Sequence, residues 1–124
     1  MNIFPNWFRW ALRGSGPSNR VKVRNVSPSP SYSGSAIDDW ETYKKREATH
    51  CSKCGKAFSS DDDKVGGHVY KVGGSSIDTY IVPLCKVCNN SYVTEPFEVS
   101  KSDMVRVWTL KRCRKKQSRQ QKPL

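Results

Sequence analysis

Cys51-Ser-Lys-Cys54-Gly55 opens, and Pro83-Leu84-Cys85-Lys86-Val87-Cys88-Asn89-Asn90 closes, the stretch on which the fold of this 124-residue chain turns. Two Cys-x-x-Cys pairs supply four thiolates, the ligand set of a closed tetrahedral zinc site. Each pair can wrap one edge of the metal, with backbone amides of the intervening turn pointing at the sulfurs. Cys51, Cys54, Cys85 and Cys88 are therefore the expected ligands of a structural Zn²⁺. Zinc in such sites contributes on the order of 10 kcal/mol or more of folding free energy, so the domain is expected to be unfolded without it. A redox Cys-x-x-Cys usually occurs once, within a βαβ pattern. A rubredoxin-like iron site would favour Gly after the second pair, where this chain has Asn89. The fifth cysteine, Cys113, lies outside the set.

Composition points the same way. Hydrophobic residues make up 35% of the chain and the mean hydropathy is -0.73, poor material for a large core. Small domains of this kind usually need a staple such as a metal. No apolar run approaches the roughly 20 residues of a membrane-spanning helix. Paired cysteines, odd in total, suit metal ligation better than a disulfide framework, which points to a reducing intracellular compartment.

The net charge of +11 is unevenly spread. Residues 51–100 carry five Lys or Arg against six Asp or Glu, a net of −1. Residues 101–124 carry nine basic residues against Asp103 alone, a net of +8. A near-neutral folded unit with basic flanks suits an anionic partner, of which nucleic acid is the commonest. A solvated tail with no dedicated partner is the plainer alternative.

Residues 3–13 place Phe4, Trp7, Phe8, Ala11 and Leu12 at helical spacing, with Pro5 in a first-turn position and Gly14 at the stop. Three readings stay open for this segment: a helix that packs on the domain or a protein partner, an interfacial membrane anchor, and part of an organelle transit peptide, since no acid precedes Asp38. Residues 14–35, rich in Ser, Pro and Gly, read as linker. Ser35-Ala-Ile-Asp38 resembles a capping box and starts an expected helix that turns Ile37 and Trp40 inward. Residues 65–72 and 77–84 are rich in β-branched and aromatic side chains and flank Gly73-Gly-Ser-Ser76, which predicts a β-hairpin. The second cysteine pair then leads into an expected helical turn or helix. Residues 102–110 fit helix and strand equally. From Lys111 onward the tail is basic, polar and expected to be disordered in isolation.

Knuckle, hairpin, knuckle and helix start is the order of a treble clef. Here the chain resembles the zinc-binding HNH endonucleases, which carry a Cys-x-x-Cys pair on each side of a ββα-metal hairpin. The resemblance rests on Cys51-x-x-Cys54, Gly67-His68-Val69 and Tyr80-Ile81-Val82-Pro83-Leu84-Cys85-x-x-Cys88-Asn89. It implies that His68 is a catalytic general base activating water against a phosphodiester, and that Asn89 helps hold a catalytic Mg²⁺ or Mn²⁺. A neutral imidazole can take that proton, and a divalent ion stabilises charge developing on the phosphate. Two positions depart from the family pattern. Gly67 stands where many members have a metal-binding Asp, Glu or His, and Tyr80 where they have an asparagine.

The expectation is thus a small α+β protein, a zinc-stapled treble-clef or ββα-metal module with basic, partly disordered flanks. Residues 1–35 form the amphipathic segment and linker, 36–110 the HNH-like zinc-binding domain, and 111–124 the basic tail. Two functions follow: binding of nucleic acid (DNA ahead of RNA) with metal-dependent hydrolysis as a further capacity, or a catalytically inactive treble-clef zinc module for structure or for binding a partner or RNA. In the second, His68 packs beside the zinc site.

Overall fold

The computed structural model describes residues 19–27, 30–90 and 95–121, with side chains through 116 in the last helix. The amphipathic segment at 3–13, and the anchor and transit readings attached to it, lie outside the described residues. The elements are β1 (Arg20–Asn25), α1 (Ala36–Lys44), β2 (Lys64–Lys71), β3 (Thr79–Cys85), β4 (Phe97–Ser100), β5 (Val105–Arg106) and α2 (Val107–Gln121). Single 3-10 turns precede β2 and β5. The strands form one antiparallel sheet in the order β4-β1-β2-β3-β5. The protein is a small α+β fold of five strands and two helices around a four-cysteine cluster.

The hairpin expected at 65–84 is the centre of this sheet. Its register runs without a bulge from Lys64↔Cys85 to Tyr70↔Thr79, so side chains alternate strictly between two faces. Val65, Gly67 and Val69, opposite Leu84, Val82 and Tyr80, make one face. There Val82, Leu84 and Val69 pack with Val23, Phe97, Val99 and the buried cysteines. On the other face Ile81 and Val105 pack with Ile37 and Trp40 of α1, Ala48 and Leu110 of α2.

α1 begins where the capping motif places it. Ser35 accepts a hydrogen bond from the Asp38 amide, and Lys45 closes the helix in a left-handed conformation at φ 57°. The helix start lies so close to β2 that a Cβ on Gly66 would stand 2.8 Å from the Ile37 nitrogen. Only glycine permits that approach.

Two expectations need correction, and the one left open at 102–110 is resolved. The stretch 14–35 is not linker throughout, because β1 pairs with both β2 and β4 and buries Val23 completely. The alternation Arg20-Val-Lys-Val-Arg24 is a period-two strand signal within a Ser- and Pro-rich surround. The segment 102–110 is both things at once: a two-residue strand leading directly into a helix. That helix continues through the basic tail to Gln121, because Leu110 is buried against α1 and Arg114 bonds Asp39 and the Ser33 carbonyl. After Cys88 the described residues close a turn, with the Asn89 amide on the Cys85 carbonyl, residues 91–94 lie outside the description, and the hairpin is covered by α1 and α2.

Candidate metal centre

The first knuckle sits on a small loop-back. Thr49 accepts from the Phe58 amide, Cys51 donates to the Lys56 carbonyl, and His50 bridges to Ala57. Its turn closes with the Gly55 amide donating to the Cys51 carbonyl at 2.9 Å, Gly55 taking φ +76°. The Ser52 amide reaches across to the Pro83 carbonyl at 2.9 Å, which fastens this knuckle to β3. The second knuckle continues β3, and the Asn89 amide closes it onto the Cys85 carbonyl at 3.0 Å. The Asn25 carboxamide of β1 donates to the Cys88 carbonyl at 3.1 Å.

These turns bring the ligand atoms of Cys51, Cys54, Cys85 and Cys88 within 4.8 Å of one another. A tetrahedron with Zn–S bonds of ~2.3 Å has edges of ~3.8 Å, so the cluster needs only slight contraction to close on the ion. The donor set fits Zn²⁺. Cys51, Cys85 and Cys88 are buried, Cys54 is exposed, and all four are free thiols. Burial raises the Cys51 thiol, but backbone hydrogen bonds from Cys54, Cys85 and Lys53 outweigh it and leave that thiol below its ordinary value. Burial and the neighbouring sulfurs push Cys88 up. Thiols ionise when they ligate a metal, so a bound cation would offset the burial that opposes ionisation at Cys88.

Sequence reasoning did not identify the supports around this cluster. Asp103 accepts from Ser52 Oγ at 2.9 Å and from Arg46 at 3.1 Å, and its carbonyl takes the Trp40 indole N–H at 2.8 Å. A residue just before β5 therefore ties the first knuckle to α1. Lys64, opposite Cys85, is buried and reaches Glu41 Oε2 at 2.7 Å, with Glu47 and Asp61 at 3.6 Å. The Glu41 hydrogen bond holds its ammonium above the ordinary range despite burial.

His68 and Asn89 do not meet. A Cβ on Gly67 would point at Asn89 Oδ1, 2.9 Å away, and at Leu84 Cδ1, 2.4 Å away. Position 67 thus faces the cysteine side, and strand alternation turns His68 to the helix side. There His68 lines a cleft with Trp108 and Lys111 of α2 and meets the Tyr32 ring edge-on at 5.9 Å. Burial, then the Lys111 charge, depress its pKa below the usual histidine value. Beside Asn89, Leu84 fills the space that a ligand at position 67 would use.

Three acids near the hairpin have partners of their own: Asp61 pairs with Lys64, Asp63 accepts from the Lys86 amide and Asp78 pairs with Arg106. Among the described residues, the four cysteines are the one group of three or more His, Cys, Asp or Glu placed to hold a metal ion. His50 is exposed and bonds Thr49.

The charged surface lies on α2. Lys111, Arg112, Lys115 and Lys116 are exposed, and no acid follows Asp103. No helix among the described residues is long and apolar enough to cross a membrane. Comparison with protein-family models, curated proteins and solved structures yields no match.

Proposed function

We propose that this chain is a zinc-stapled module that binds nucleic acid through α2 and does not cleave what it binds. The observation that carries the reading is the acid-free helix itself: four exposed cations on a helix anchored through Leu110 and Arg114 to the sheet and α1. A fixed row of cations matches the repeating phosphates of a nucleic-acid strand better than a loose tail would, because less ordering entropy is given up on binding. Zinc holds the platform on which the row is mounted, and unpaired thiols suit a reducing compartment.

The test is binding of a fluorescent oligonucleotide across a salt series. Affinity should fall linearly on a log–log plot, and Lys115→Ala with Lys116→Ala should flatten the slope by about 0.7–0.9 for each phosphate no longer neutralised. Binding that is indifferent to salt, or absent at low salt, contradicts the proposal.

HNH-type hydrolysis is the second reading, and the depressed pKa of His68 favours it, because neutral imidazole is the form that accepts a proton. Against it stand the separation of His68 from Asn89 and the lack of room beside Gly67. Nicking of plasmid DNA with Mg²⁺ or Mn²⁺ by the wild type, abolished in His68→Ala, would restore it.

A further inference from the structure

The cleft around His68 lies apart from the cysteine cluster and shares Lys111 with the row of cations. It has a volume of about 470 Å³ and opens between the start of α2 and the β2–β3 turn. Pockets of roughly 300–1,000 Å³ are the size that encloses small organic ligands.

Its walls are chemically unlike one another. Trp108 is 63% exposed and Ile77 90% exposed, two large apolar side chains left to solvent at one cleft. The Arg112 guanidinium lies over the Trp108 ring, 5.2 Å from its centre. Lys111 supplies a cation and Thr79 a hydroxyl, while the rim carboxylate of Asp78 is paired with Arg106 at 3.3 Å. His68 is at the floor, 6% exposed. Its imidazole meets the Tyr32 ring edge-on at 5.9 Å and lines the cleft. An imidazole that lines a cleft offers a donor and an acceptor to whatever occupies it.

We infer that this cleft receives one unpaired nucleotide: the base against Trp108 and Ile77 with its edge hydrogen-bonded to His68, the phosphate on Lys111. The inference rests on the nucleic-acid reading and makes it specific to single strands or strand ends, because a paired, stacked base cannot enter. An aromatic face, a buried imidazole and an adjacent cation match the three parts of a nucleotide, and stacking on a protein aromatic tolerates any base. The nucleotide can come from a chain or be free in solution, and the experiment separates these sources.

Zinc-loaded full-length protein is titrated with a labelled single-stranded oligonucleotide and with a blunt duplex of the same length. Trp108→Ala, at an exposed site, and His68→Phe, which keeps the floor filled, are compared with wild type. Each is expected to weaken single-strand binding about fivefold or more and to leave duplex binding within twofold. In parallel, the His68 ring ¹⁵N signals are followed while adenosine and uridine monophosphate are added to millimolar levels, and they are expected to shift. If single-strand affinity is unchanged in both variants and the ring signals do not move, the cleft assignment is overturned while phosphate binding by α2 stands. If no oligonucleotide binds yet the ring signals shift, the nucleic-acid reading fails and the cleft is a site for free nucleotides. If neither responds, both are overturned.

Discussion

Asn89 Oδ1 stands 2.9 Å from the point where a Cβ on Gly67 would lie, and Leu84 Cδ1 stands closer still at 2.4 Å. Leu84 is fully buried, so position 67 has no side-chain volume to give. Gly67→Ala should destabilise the zinc-loaded protein by about 1–3 kcal/mol, the usual result of overpacking, measured by denaturant unfolding. Gly67→Asp, which places an HNH-type ligand at that position, should be less stable again and should still not nick DNA. A stable Gly67→Asp protein that gains metal-dependent cleavage would show that the site is open.

Lys64 is held by Glu41 at 2.7 Å and, among the described residues, by two exposed carboxylates at 3.6 Å. Glu41→Ala removes that partner and also the acceptor for the Ala48 amide. A loss of about 3 kcal/mol is expected, the low end for stranding a buried charge, since Glu47 and Asp61 remain. Glu47→Ala, at an exposed position, should cost less than about 1 kcal/mol.

Asp103 joins Ser52 in the first knuckle to Arg46 after α1. Asp103→Ala should lower stability and speed zinc transfer to a chelator. In a double-mutant cycle with Ser52→Ala the two effects should fall short of additive, by about 0.5 kcal/mol or more, because they share one hydrogen bond.

The pKa of His68 is lowered in the folded state by burial and by Lys111. Above the unfolded value near 6.5 both states hold the ring neutral, and its neutrality costs nothing. As pH falls below ~6.5 the unfolded state binds the proton first, so stability declines through the folded pKa. The difference in unfolding free energy between wild type and His68→Phe should therefore be flat above pH ~7 and shift against wild type below ~6.5. A flat difference down to about pH 5 would mean that the ring titrates as it does in the unfolded chain.

What the sequence made legible was what local spacing controls. Two Cys-x-x-Cys turns, a glycine-rich loop between β-branched runs and Ser35 three residues before Asp38 each declare themselves within a few positions. β1 did not, because its value comes from pairing Arg20 with Ser100 across most of the chain, and pairings that distant leave only a faint alternation of Val and Lys or Arg. The tail read as disordered because its own composition favours that. Its helix depends on Leu110 and on Asp39 meeting Arg114, which are tertiary. That Gly67 and His68 face opposite ways was within reach, since neighbours on a strand alternate, whereas the placing of Asn89 on the Gly67 side was not. The resemblance to a nuclease drew His68 and Asn89 to one site, and these two placements part them.

The zinc content of the folded protein tests the account most directly. Protein purified under reducing conditions should carry one zinc per chain by native mass spectrometry, and a strong chelator should abolish its far- and near-ultraviolet circular dichroism together, with Cys85→Ser failing to fold in either state. Protein that is metal-free yet keeps its tertiary signal, or a Cys85→Ser variant that folds as wild type does, would contradict it.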